Sequence, residues 1–319
     1  PTRLLDIGLG AIPEPRLFLT AKVKERLSYL ALSHCWGGVV QETLKKGNLA
    51  NMRSFIPLSK LTKSVQDAIY VVQKLGYRYL WVDYLCIIQD CPMDWGQESA
   101  VMNKVYLHST CTIAATAATD GHAGLFFQRN PCLVKPEKIR FLIGQEEFEC
   151  FAIDDGLLEG EIDSAPLSKR AWVMQETTLS TRIIHFAKDQ LFWTCNANQS
   201  CESFPERLPC IEGINCGTSA TQKAKGIAKR RYHNNIYQEI WARMVEDYSS
   251  RHLTRPEDKG PAIQGLANEM KRHIKSPYIA GLWYSNLPLD LLWQPVGRNT
   301  RAPAASFRAP SWSWLSIDG

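Results

Sequence analysis

Apolar positions in the first 120 residues alternate between short unbroken runs and longer stretches with helical spacing. SYLALS, residues 28–33, is a short apolar run that ends in HCWGG. Leu61, Val65, Ile69, Val72 and Leu75 then recur at three- and four-residue spacing, which predicts an amphipathic helix over about 62–75. Gly76 is its expected stop. YRYLWVDYLCII, residues 77–88, reads as a buried strand with β-branched and aromatic character. A second helix is expected to begin near Asp94, with Gln97 completing a capping-box-like pattern, and to run to about Tyr106. CTIAATAA, residues 111–118, is a third buried strand. Strands separated by helices imply right-handed crossovers and a mainly parallel sheet, so the expected class is α/β. Residues 140–153 pattern as a hairpin, 168–195 as a helix followed by one or two strands, 232–248 as a helix, and the closing RAPSWSWLSID as a strand. Residues 201–231 read as an irregular insertion.

The second helix carries an anomaly. At 100° per residue from Trp95, Met102 falls near about 340°, Val105 near about 280° and Tyr106 near about 20°. Glu98 falls near about 300°, inside that apolar stripe. An inward carboxylate is costly unless paired or functional, so Glu98 is either half of a structural ion pair or a working acid. It follows a strand, near the carboxyl edge of the sheet, where open α/β sheets bind ligands. Ser33, His34 and Trp36 after the first strand, Asp83 at the end of the second, and Asp120 and His122 after the third converge on that edge. Asp83 stands out, because an acid interrupting LWVDYLCII has no packing reason to be there. RAWVMQE groups Arg170, Trp172, Gln175 and Glu176, with a structural Arg–Glu pairing as the plainest reading.

Composition narrows the class without choosing the chemistry. The 319 residues are 45% hydrophobic and 22% charged, ordinary for a globular protein, and no run reaches the roughly 18 apolar residues of a membrane-spanning helix. The net charge of +5 is mild and does not call for nucleic acid; the KAKGIAKRR run at 223–231 reads as a solvated segment. Ten cysteines are too dilute for a disulfide scaffold, and no secretory leader opens the sequence, so a reducing cytoplasm is expected. The chain begins at Pro1, and the natural protein is expected to extend beyond both ends. Neither G-x-G-x-x-G, nor G-x-x-x-x-G-K-[ST], nor G-x-S-x-G occurs. Ser33-His34-Cys35 is no nucleophile–base pair, since neighbours on an extended segment point to opposite faces. The five- and eight-residue spacings of Cys195, Cys201, Cys210 and Cys216 do not fit zinc knuckles, so no metal is expected.

YLALSHCWGG, LSKLTKSVQDAIYVVQKLGYRYLWVDYLCIIQD, DWGQESAVMNKVYLHSTCTIAATAATDGHAGLF and KRAWVMQETTLSTRIIHF together resemble the fungal heterokaryon incompatibility (HET) domain family, over about residues 28–186. Tyr84, where Ser is common, and Gly96, where a bulkier residue is usual, are small departures. The resemblance implies a HET domain over 1–190. Residues 191–319 would be a C-terminal extension or smaller lobe packing on the core. That family is associated with programmed cell death when unlike hyphae fuse, and its domain is thought to be similar to TIR domains, with a flavodoxin-like parallel sheet. Some TIR domains hydrolyse NAD with a glutamate in a helix at the carboxyl edge, and by that resemblance Glu98 corresponds to the catalytic acid, with Asp83 orienting water or another side chain. Ser33, His34, Trp36, Gly37, Arg170 and Trp172 are the implied substrate-binding residues, Trp36 stacking on a ring and Ser33 bonding a phosphate or ribose. NAD would be substrate, with no separate cofactor. Self-association and an incompatibility partner protein are implied as well, and neither nucleic acid nor membrane. A non-catalytic signalling module, or the same fold acting on another small molecule, are the alternatives.

Overall fold

The computed structural model describes residues 1–10, 12–38, 42–152, 159–208, 235–295, 304 and 306–317. The strands are β1 (Arg3–Asp6), β2 (Arg16–Leu19), β3 (Tyr29–Ser33), β4 (Tyr79–Trp81), β5 (Cys111–Ala114), β6 (Glu137–Ile143), β7 (Glu146–Ala152), β8 (Arg182–Phe186), β9 (Leu191–Cys195), β10 (Gln199–Cys201), β11 (Tyr278–Ile279) and β12 (Leu282–Trp283). The helices are α1 (Leu49–Ser54), α2 (Lys63–Lys74), α3 (Asp83–Cys86), α4 (Pro92–His108), α5 (Pro131–Val134), α6 (Ala171–Leu179), α7 (Asn235–Ser249), α8 (Lys259–Ile274) and α9 (Leu287–Asp290).

One eight-stranded sheet organises the chain, in the order β10-β9-β8-β5-β3-β4-β1-β2. The fold is mixed α/β. Only the centre is parallel: β8 with β5, β5 with β3 and β3 with β4. Both flanks are antiparallel, because β1–β2 and β8–β9–β10 are hairpin-connected strands that fold back directly. The expectation of a mainly parallel sheet is corrected at those flanks; the first 27 residues, in particular, add β1 and β2.

Side-chain alternation explains the two faces of the sheet. Leu30 and Leu32 of β3 pack with Val65, Ala68, Ile69 and Val72 of α2, whereas Tyr29 and Ala31 meet Met102, Val105 and Tyr106 of α4. Strands covered on both sides need no polar face, and every residue of β3 and β5 is buried. In chain order the four parallel strands are β3, β4, β5 and β8, so their spatial order is 2-1-3-4. The connection reverses between β3 and β5, and a crevice at their carboxyl ends is where such sheets bind ligands.

The run 77–88 proves shorter as a strand than expected. Only Tyr79–Trp81 pair, and Asp83–Cys86 turn helical, so Asp83 opens a helical turn. The closing RAPSWSWLSID is not a strand either: its one regular element is a 3-10 turn, Trp314–Ser316, begun by the Ser313 side chain accepting from the Leu315 amide. The helix at 94–106 is α4, the hairpin is β6–β7, and the helix before two strands is α6 with β8 and β9. Most of the 201–231 insertion lies outside the described residues.

The C-terminal helices complete the layer that carries α6. Ile240, Trp241 and Met244 of α7 and Ile263, Leu266 and Ala267 of α8 share a core with Ala171 and Met174. A Cβ on Gly265 of α8 would overlap the Gln175 carboxamide and Asn103 Cβ, so α8 touches α6 and α4 at backbone distance. Gly265→Ala is expected to lower stability by about 1–3 kcal/mol in chemical denaturation, the usual cost of overpacking; an unchanged midpoint would show that the helices separate freely there.

Candidate functional site

Ser33 ends β3 in the same alternation that turns Tyr29 and Ala31 toward α4 and α6, so its hydroxyl faces the helices. Glu176 of α6 lies there, 6% exposed. Burial drives its carboxyl up from 4.5 to about 7, opposed by the Arg170 charge and by the Ser33 and Tyr106 hydroxyls, while Asp83 pushes it further up. Tyr106 also donates to the Leu32 carbonyl at 3.2 Å. Ser33 Oγ is 0% exposed and lies near enough to favour the Glu176 carboxylate, yet it makes no fully aligned hydrogen bond.

The next residue builds the other wall. His34 is 2% exposed, its ring edge-on to Tyr84 with centroids 5.6 Å apart. Its Nε2 stands 3.8 Å from Asp83 Oδ1, beyond hydrogen-bonding reach, and has no partner. Burial lowers its pKa despite Asp83, so the imidazole is neutral at pH 7. Asp83 accepts from Trp36 Nε1 at 2.7 Å and from the Tyr84 amide at 2.8 Å. Its side chain is 26% exposed, the point where the cluster meets solvent. Arg170 Nη1 donates to the His34 carbonyl, and burial raises the neighbouring Cys35 thiol, which disfavours a thiolate there.

Gly37 shapes this wall. Its φ is +66°, and a Cβ would overlap Asp120, so the HCWGG loop can cross the 115–120 loop only with glycine there. Asp120 is meanwhile occupied with the His122 and Ala123 amides. Close approach of two loops accounts for Gly37 without a ligand.

The structure therefore brings together Ser33, His34, Trp36, Asp83 and Arg170, and adds Glu176 and Tyr106. Trp172 lies elsewhere: its indole donates to Asp258 at 3.2 Å, toward the C-terminal part. Glu98 points inward, 4% exposed, as the helix-face count expects, but its partners are Thr2 and Arg3, at the start of β1. It accepts from Thr2 Oγ1 and stands 3.5 Å from Arg3 Nη2, which also bonds Asp94 at 2.6 and 2.7 Å. Glu98 sits eight residues before Tyr106 on α4, about 12 Å along the axis. No hydrogen bond or ion pair joins it to the cluster among the described residues. The contacts that Glu98 makes are thus those of an ion-paired carboxylate.

Glu176 was visible in sequence only as the partner of Arg170. Polar and apolar residues are interspersed around α6, so no stripe singles out one inward acid. No contact ion pair joins the two among the described residues; Arg170 acts on Glu176 at longer range. A cleft of about 420 Å³ opens at the opposite, amino edge beside Arg26, Tyr29 and His108, but no unpartnered buried polar atom faces it.

The raised Glu176 carboxyl has a measurable consequence. Between about pH 4.5 and 7 the folded chain holds a proton that the unfolded chain has lost, so stability falls as pH rises through that window. The loss is at most about 3 kcal/mol. Glu176→Gln is expected to flatten this part of the stability–pH curve, as measured by denaturation at pH 4.5, 6 and 8. A curve parallel to wild type would place the titration elsewhere.

Fold and cluster together define a mixed α/β domain with buried ionisable side chains gathered at the carboxyl ends of its parallel strands. Residues 29–176 match the family described as Heterokaryon incompatibility protein (HET), so this part of the chain is a HET domain, which connects it with heterokaryon incompatibility. The match ends at Glu176 itself. No curated protein matches the chain, and no solved structure does. Among the described residues, no helix is long and apolar enough to cross a membrane.

Proposed function

We propose that the HET domain cleaves the N-glycosidic bond of NAD and releases nicotinamide, with Glu176 as the carboxylate that stabilises the sugar cation. The observation that carries this reading is the buried edge at the switch point, where His34 Nε2 has no partner beside Asp83 and the Ser33 hydroxyl faces the Glu176 carboxyl. Buried polar groups ordinarily find partners, and here a substrate hydroxyl supplies the one that His34 Nε2 lacks. The 2-1-3-4 order of the parallel strands is in keeping with the likeness to TIR domains.

The chemistry asks little of the protein. As the bond breaks, its electron pair goes to the nicotinamide nitrogen, which needs no proton, and positive charge develops on the ribose. A preorganised carboxylate near the ribose lowers that barrier. Water then adds to the anomeric carbon and loses its proton to the same carboxylate, whose pKa of about 7 suits it to the task. Asp83 holds Trp36 in place by its hydrogen bond, and the indole is the surface on which a flat ring would stack. In this reading the activity serves cell death in incompatibility, and Asp83 stays beside Glu176 rather than Glu98.

The β6–β7 hairpin favours a second reading, a binding module. Ile139, Phe141 and Phe148 share one face of it and are exposed, a surface suited to a protein partner.

Nicotinamide release by the purified chain, with Glu176→Gln and Glu98→Gln in parallel, separates these readings. Release lost only in Glu176→Gln supports the assignment made here. Loss in Glu98→Gln alone, with unchanged stability, would return the acid to α4. No release by wild type at any concentration would favour the binding module.

A further inference from the structure

We infer that the switch-point site reads the positive charge and the hydroxyls of a pyridinium N-riboside and leaves phosphate outside, so that nicotinamide riboside, which carries no phosphate, is itself a substrate. This rests on the glycosidic-cleavage reading above and names the part of the substrate that the site recognises.

The charges in the cluster are the first ground. Asp83 and Glu176 are the acids acting on it, and Asp120 adds its field at Cys35. Arg170 is the cation whose field reaches His34, Cys35, Tyr106 and Glu176 among the described residues. That cation is already engaged, because its Nη1 donates to the His34 carbonyl. Lys60 and Lys63, on the elements that follow β3, are ion-paired with Glu42 and Asp67. Among the described residues, a phosphate brought here would face the Asp83 and Glu176 carboxylates, and the guanidinium whose field reaches them is already engaged.

Anion sites of doubly wound sheets use amides at the start of the helix after the first strand. Among the described residues β3 is followed instead by a loop, and the next helical ones are Lys46–Asn48. After β4 the Tyr84 amide is taken by Asp83 Oδ1. What remains open is hydroxyl chemistry: His34 Nε2, buried and unpartnered, and the Ser33 hydroxyl beside Glu176 can bond sugar hydroxyls, and the acids can face a cationic ring.

The step balances without phosphate. The bond from the anomeric carbon to the ring nitrogen breaks, its electron pair neutralises the pyridinium, and water supplies the new oxygen substituent while its proton passes to Glu176.

The test compares nicotinamide riboside, NAD and NADH with the purified chain. The expected result is cleavage of the riboside with kcat/KM within about tenfold of NAD. NADH, whose ring is neutral, should neither turn over nor compete. Asp83→Asn should raise KM for the riboside and for NAD alike. Cleavage of NAD with the riboside at least about 100-fold poorer would overturn the inference and leave the NAD reading standing, since the lost contacts would then be to phosphate. Competition by NADH as strong as that by NAD's own product-like analogues would also overturn it, by removing the role of charge. Failure to cleave either compound would sink the inference together with the reading on which it rests.

Discussion

Glu176→Gln is expected to abolish nicotinamide release, by at least about 100-fold in kcat, while the chain stays folded. The carboxamide keeps the size and shape of the side chain and so preserves packing between α6, β3 and α4. What it removes is the negative charge that would face the developing sugar cation. Retention of fold is expected because an ionised Glu176 is a burden on the folded state: burial holds its pKa near 7. Neutralising it should leave the protein at least as stable as wild type at pH 8, so lost activity cannot be ascribed to unfolding. The pH profile gives an independent readout. Wild-type activity should rise with pH through about 7 as Glu176 ionises, and the residual activity of the variant should lack that limb. Full activity in Glu176→Gln would remove Glu176 from the chemistry.

Arg3→Ala is expected to be among the most destabilising single changes in the chain, by about 3–5 kcal/mol. Arg3 is buried on β1, its Nε donating to the Cys86 carbonyl at 2.6 Å and its Nη2 to both oxygens of Asp94. Glu98 completes the cluster at 3.5 Å and has one oxygen, Oε2, without a partner. Two carboxylates on successive turns of α4 therefore depend on one guanidinium. Removing it leaves buried Glu98 and half-buried Asp94 without their cation, and the cost lies in the uncompensated charge more than in the lost contact. Chemical denaturation of Arg3→Ala beside Arg3→Ala/Glu98→Gln measures the coupling. Partial recovery in the double variant is expected, because one of the stranded charges is then gone. A loss below about 1 kcal/mol in the single variant would mean that the pair is hydrated after all. Nicotinamide release per folded molecule should be unchanged in Glu98→Gln, since its role is to fasten α4 to β1.

The two glutamates show how far a one-dimensional pattern reaches. Glu98 was legible because α4 has an apolar stripe against which an inward acid stands out. Glu176 was not, because α6 is buried on more than one side, between the sheet, α4 and the C-terminal helices, and its sequence has no polar face for contrast. The sequence also indicated that Ser33, His34, Trp36 and Asp83 would meet at one edge, since each follows or ends a strand. It could not show Tyr106 joining them from the far end of a 17-residue helix.

Apolar periodicity by itself established the alternation of strands and helices through α4 and β5, the hairpin β6–β7 and the inward turn of Glu98, because these depend on the spacing of side chains along one segment. The partner of Glu98 and the neighbours of Glu176 depend on segments distant in sequence. β1 brings Arg3 to α4 across more than 90 residues, and α8 presses α6 and α4 together through Gly265. Whether a buried carboxylate is neutralised by a guanidinium or held near neutrality by desolvation is a matter of which atoms lie within a few ångströms of it, and only the tertiary structure decided that.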